Sequence, residues 1–167
     1  MSGETKAKRT DERSEAEQQT LREGAAAIIR AVHEEEPLGE ILGYDEAFIA
    51  SVEQNAYTLR EQERFEEAEQ LIRGAVALDV TRPYPHLLLG DILVEQGDLE
   101  EGEAELAAAL ELRPDSVHAR MMLAEVKMKR EAYEAAADLL EDVIDHGEVE
   151  EAVRERAGVL LEVATLD

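Results

Sequence analysis

The side chains of this chain that could do chemistry are scattered. Its four histidines, His33, His86, His118 and His146, are far apart, and no HExxH or other dense ligand spacing joins them. His33-Glu34-Glu35-Glu36 offers metal donors, but it reads more simply as the solvated end of a helix. There is no cysteine, hence no disulfide framework and no thiolate. Neither GxxxxGK[ST] nor GxGxxG occurs, so no glycine-rich loop cradles phosphate, and no DxDxDG loop is present to hold calcium. Carboxylates are so abundant that any pair at catalytic spacing is expected by chance. These residues give no catalytic group, no metal site and no cofactor, and the chain reads as a non-enzyme. One cluster invites recognition rather than catalysis. Arg120, Lys127, Lys129 and Arg130 concentrate positive charge in a chain of formal net charge −24. They either offset neighbouring carboxylates or grip an acidic peptide group.

Composition says what must position such residues. A length of 167 residues suits one domain with its own core. Aromatics are 4% with no tryptophan, while alanine, leucine and glutamate dominate, as expected of helices with almost no strand. Forty-one acidic against seventeen basic residues repel phosphates and anionic lipid, so neither nucleic acid nor membrane is an expected partner. The start, MSGETKAKRTDERSEAEQQ, lacks an apolar signal core, and no run approaches the roughly 20 apolar residues of a span. A cytoplasmic location is the expectation.

The organising stretch is Pro83–Ser116. Leu87, Leu88, Leu89, Ile92 and Leu93 supply an apolar face for a helix from about His86 to Gln96. Gly97-Asp98 breaks it, and a second helix carries Leu99, Ala104, Leu106, Ala109, Leu110 and Leu112 up to Arg113-Pro114. Shifting this window by 34 residues either way aligns Gly90 with Ala56 and Ala124, and Gly102 with Ala68 and Ala136. Leu99 aligns with Phe65 and Tyr133, Leu106 with Ile72 and Leu140, and Ala109 with Ala75 and Val143. The pattern resembles the tetratricopeptide repeat family, whose unit is a 34-residue helix–turn–helix. The resemblance implies an all-α, right-handed superhelix of three repeats, 49–82, 83–116 and 117–150, within 37–150 and flanked by a helix at each end. Residues 1–13 read as a disordered tail and 14–36 as an N-terminal helix. Residues 148–166 read as a C-terminal capping helix. The stripe Leu21, Ala25, Ile28, Ile29 and Val32 needs a partner surface, either the first repeat or, in a homodimer, the same helix of a second chain.

In this fold the first helix of every unit lines the concave surface, so its positions outside the packing columns are free to meet a ligand. The resulting peptide-binding candidates are Tyr57, Tyr84, Leu87, Asp91, Val94, Met121, Glu125 and Met128. Their apolar and methionine side chains ask for aliphatic anchors, and Asp91 and Glu125 would favour basic or amide groups between them.

A narrower resemblance rests on Leu42-Gly43-Tyr44, Arg64-Phe65-Glu66-Glu67-Ala68-Glu69, Ala77-Leu78-Asp79 and Leu87-Leu88-Leu89-Gly90. With the acidic composition and the helix–three repeats–helix layout, these are similar to the class II chaperones of bacterial type III secretion. The chain departs from them at Asn55 and Gln62 and lacks aromatics near Leu89. The resemblance implies a passive function: the groove holds an extended segment of a translocator protein and prevents its aggregation. Two other readings stand beside it, a general scaffold or adaptor in a multiprotein complex and a regulatory subunit with a small-molecule site.

Overall fold

The structure is a computed structural model that describes residues 19–26, 37–147 and 149–166. Among the described residues there is no strand, and no helix is long and apolar enough to cross a membrane. The chain divides into two compact units, Met1–Asp45 and Glu46–Asp167. In the first, residues 19–26 are helical (α1), and Leu38–Ile41 forms one helical turn (α2). The chain leaves α2 through Gly43 at φ 79°, a left-handed conformation that suits glycine. Leu21 is exposed. The expected tail at 1–13, Ile28, Ile29 and Val32 of the apolar stripe, and His33-Glu34-Glu35-Glu36 lie outside the described residues.

The second unit is three helical hairpins and a closing helix. The hairpins are α3 (Glu46–Glu61) with α4 (Phe65–Leu78), α5 (Pro83–Gln96) with α6 (Leu99–Leu112), and α7 (Val117–Lys129) with α8 (Tyr133–Asp145). The last helix is α9 (Glu151–Ala164). Each helix packs on its neighbours in sequence, as in a tetratricopeptide superhelix. Helix α5 begins at Pro83, earlier than the apolar periodicity suggests, because a proline at the first helical position is already set at a helical φ and lacks only an N–H that would be unpaired there. The Asp98 side chain accepts from Glu101 N and that of Ser116 from Ala119 N, capping α6 and α7.

Each hairpin turns in the same way. Glu63, Gly97 and Glu131, spaced by one repeat, have φ of 58°, 90° and 62°. The next residue's N–H returns to the carbonyl five positions back: Arg64 to Leu59 at 3.0 Å, Asp98 to Leu93 at 2.9 Å, Ala132 to Lys127 at 2.9 Å. This left-handed Schellman closure is the one glycine makes at least cost, yet two of the three turns carry glutamate there.

The small-residue columns form the hairpin seams. Ala56, Ala68, Ala124 and Ala136 are fully buried. In the middle unit the helices approach closer still: a Cβ on Gly90 would lie 2.7 Å from Leu106 Cγ and 3.1 Å from the Gly102 carbonyl oxygen. Ile72, Leu106 and Leu140 fill the column beneath, all fully buried. Of the column Phe65, Leu99 and Tyr133, the first two are half-buried whereas Tyr133 is exposed. Ion pairs stitch one hairpin to the next. Arg73 of α4 holds Glu101 of α6 through two 2.8 Å hydrogen bonds, which lower the glutamate's pKa and raise the arginine's. Glu103 of α6 accepts from Lys127 and Arg130 at 2.5 Å each, and the Lys127 hydrogen bond is the main reason its pKa falls below the ordinary carboxylate value. The end of the stack is closed by α9, whose fully buried Ala157 packs with Met121, Ala124, Leu140 and Val143.

Candidate binding groove

The repeat geometry turns the first helix of each hairpin towards a common groove of about 460 Å³. Its walls come from α3 (Tyr57, Arg60), α5 (Asp91, Val94, Glu95), α7 (His118, Met121, Met122, Glu125, Val126, Lys129) and α9 (Arg156), with nothing from α4, α6 or α8. Five of the eight candidates from the sequence meet here: Tyr57, Asp91, Val94, Met121 and Glu125.

The other three lie elsewhere. Tyr84 and Leu87 line a shallow depression of about 40 Å³ together with Ala109, Arg113 and Ala119. Tyr84 keeps its phenol protonated to higher pH than usual, first because it is partly buried and then because of the negative charge of Glu53 nearby. Met128 is half-buried and packs against the core cluster of Met121, Ala124, Leu140, Val143 and Ala157, and it does not line the groove. Met121 lines the groove but is only 5% exposed, so it forms part of the floor and of the core at once.

Charge in the groove is also arranged differently from the expectation that Asp91 and Glu125 await a basic ligand. Arg60 Nε lies 2.8 Å from Asp91 Oδ2, and Arg60 also donates to Glu61 at 2.7 Å. Burial lowers the Arg60 pKa, but these two carboxylates outweigh it and leave the pKa raised. Arg156 of α9 sits 2.7 Å from Glu125. Both acids therefore already have a cationic partner within the chain. Beside the groove, Glu53 of the same face is buried, and its carboxylate is held by Arg82 Nε at 2.9 Å. That hydrogen bond is the largest cause of the raised Arg82 pKa.

The basic cluster of α7 divides by direction. Lys127 and Arg130 pair with Glu103, while Arg120 lies 3.8 Å from Asp142 and donates to the Pro114 carbonyl. Lys129 alone of the four lines the groove, and it has no ion pair among the described residues. A second chamber of about 370 Å³, lined by Val117, Val149, Glu150 and Val153, shares His118, Met121 and Arg156 with the groove and extends it between α7 and α9. Arg156 has no signal in the sequence, because α9 belongs to no repeat column. Arg60 and His118 do stand in the columns of the first helices, where neighbours of plainer apolar character are the more obvious candidates.

With helix pairs, turns and groove in view, the comparisons decide the family. Two descriptions of the tetratricopeptide repeat match the chain, over residues 87–155 and 59–111. It is a tetratricopeptide repeat protein. No curated protein matches the sequence. Among solved structures, this repeat protein superposes on a T3SS complex from Aeromonas hydrophila with a TM-score of 0.76 at 15% identity, over 83% of this chain and 95% of that one. The type III secretion translocator chaperone SycD of Yersinia enterocolitica gives 0.70 at 13% identity, over 77% of this chain and 98% of its own. PcrH in complex with the chaperone-binding region of PopD gives 0.69 at 17% identity, over 74% and 95%. At these identities the likeness is one of fold, and the chain is similar in fold to the translocator chaperones.

Proposed function

We propose that the protein binds an extended segment of a partner protein in the groove formed by α3, α5, α7 and α9, and that it acts as a chaperone for an aggregation-prone, secreted partner. The observation that carries this reading is the groove itself: a trough built only from first helices and the closing helix, apolar at Tyr57, Val94, Met121 and Met122, with Asp91 and Glu125 already partnered by cations of the chain. The likeness in fold to a chaperone caught with its binding region of PopD supports the same use. Binding of this kind is passive. The client's apolar anchors enter side-chain pockets, its backbone is held extended, and association between clients is prevented without turnover. Ordering the segment costs conformational entropy, so affinity is modest. The reading places the protein in the cytoplasm, where such a client is made. It extends to a homodimer through residues 14–36, for which the alternative dimer of SycD is a precedent of fold.

The test is selection of displayed 12-residue peptides against the full chain, followed by affinity measurement with a Tyr57→Asp variant. Tyr57 is exposed on α3, so the fold tolerates the change, and loss of a groove aromatic weakens binding about ten-fold. Glu141→Lys, on the exposed outer side of α8, leaves affinity unchanged. Equal affinity of the Tyr57→Asp variant, with loss in the Glu141→Lys variant, overturns the reading.

A further inference from the structure

Of the charged groups that line the groove, three are cations (Arg60, Lys129, Arg156) and three are anions (Asp91, Glu95, Glu125). Two of each cancel in the Arg60–Asp91 and Arg156–Glu125 pairs. What remains is Glu95 on α5 and Lys129 on α7, both exposed and neither in an ion pair among the described residues. These two occupy the same position of consecutive repeats, 34 residues apart. The equivalent residue of the first unit, Glu61, shares Arg60 with Asp91 and does not line the groove.

We infer that Glu95 and Lys129 read the direction of the bound segment: the ligand is a peptide that carries a basic and an acidic residue flanked by aliphatic anchors, the basic one over α5 and the acidic one over α7. This rests on the peptide-binding reading above and adds the chemistry of the peptide. The spacing follows from geometry. Neighbouring helices stand about 8–10 Å apart, an extended chain rises about 3.3 Å per residue and its side chains share a face only at even spacing, so a segment crossing α5 and α7 presents its two charges about two or four residues apart. Symmetric apolar pockets would accept the segment in either direction, because alternate side chains of an extended chain look alike from both ends. A charge pair of opposite sign on successive repeats removes that degeneracy: the reversed segment meets like charge at both ends. In a chain of net charge −24, Lys129 is also the groove's single unpaired attraction for an acidic side chain among the described residues.

The experiment uses the same display selection on the full chain, then a selected peptide and its counterpart with the basic and acidic residues exchanged. The selected pool is expected to carry the two charges about two or four positions apart, on one face of the extended segment, in one order. Exchange weakens binding about five-fold, the scale set by two solvent-exposed ion pairs between peptide and groove. The double reversal Glu95→Lys with Lys129→Glu inverts the preference, the Glu95→Gln/Lys129→Gln chain shows none, and raising sodium chloride from about 0.05 to about 0.5 M shrinks it. Peptides that bind well but show no charge order, or that bind the reversed and native chains alike, overturn the inference and leave groove binding standing. Failure of every displayed peptide to bind the native chain removes the underlying reading and the inference together.

Discussion

Replacing Gly90 with alanine tests the claim that the middle hairpin is drawn tighter than its neighbours. In an ordinary helix interior this change stabilises, since glycine is about 1 kcal/mol less favourable than alanine. Here the added methyl would sit 2.7 Å from Leu106 Cγ, 3.0 Å from Leu106 Cδ2 and 3.1 Å from the Gly102 carbonyl oxygen. Leu106 is fully buried and its Cγ lies one bond from Cβ, so relief requires α5 and α6 to move apart. Overpacking of this kind costs about 1–3 kcal/mol. Gly74 in α4 is the control, because a Cβ there meets nothing within 4 Å and its alanine variant keeps the full propensity gain. The two propensity terms cancel in the comparison, so Gly74→Ala should exceed Gly90→Ala in urea-unfolding free energy by the overpacking term alone, about 1–3 kcal/mol. In thermal melts that difference amounts to several degrees, at about 2–4 °C per kcal/mol for a chain of this size. Equal stabilisation by both substitutions would refute the tight seam. Because α5 also carries Asp91 and Val94, a displaced α5 should weaken peptide binding in Gly90→Ala and leave it intact in Gly74→Ala.

Three further outcomes follow from the same geometry. Glycine at Glu63 or Glu131 removes a left-handed strain of about 1–2 kcal/mol and returns part of it as unfolded-chain entropy, so each variant gains about 0.5–1 kcal/mol in chemical denaturation. Arg82→Ala strands the buried Glu53 carboxylate and costs about 2 kcal/mol, whereas Arg82→Ala with Glu53→Leu recovers most of that stability in a double-mutant melt. The folded pKa of Glu103 is lowered, so its stabilisation is present above the ordinary value of 4.5 and is lost as pH falls below it through the folded value. Acid titration of stability should therefore be flatter in Glu103→Gln than in the native chain below about pH 4.5, and parallel curves there would contradict the assignment.

The sequence made the repeat legible because packing leaves a periodic trace. Small residues at Ala56, Gly90 and Ala124, and large ones at Ile72, Leu106 and Leu140, recur where helices must touch. The groove was legible only as far as that period reached. Tyr57, Asp91 and Glu125 share one repeat column and come together, joined by Val94 and Met121 from two other columns of the first helices. Arg156 lies in a helix outside the repeat, so its ion pair with Glu125 has no periodic signature. Met121 is itself buried in the core cluster that Ala157 of the closing helix joins, which makes a charged residue at Met121 a test of folding rather than of binding. The left-handed turns at Glu63 and Glu131 were hidden for the opposite reason: glutamate gives no hint of positive φ, and only alignment with Gly97 points to it.

The central claim is that a partner segment lies in the groove, and the chain's four methionines allow a direct measurement. Met121 and Met122 line the groove, Met128 packs against the core cluster and is not part of the groove's lining, and Met1 lies outside the described residues. With methyl-labelled methionine, titration of the full chain with a selected 12-residue peptide should shift and broaden the Met121 and Met122 methyl signals while the Met128 signal moves little. Saturable binding that leaves Met121 and Met122 unchanged would contradict the account and place the partner on the outer surface.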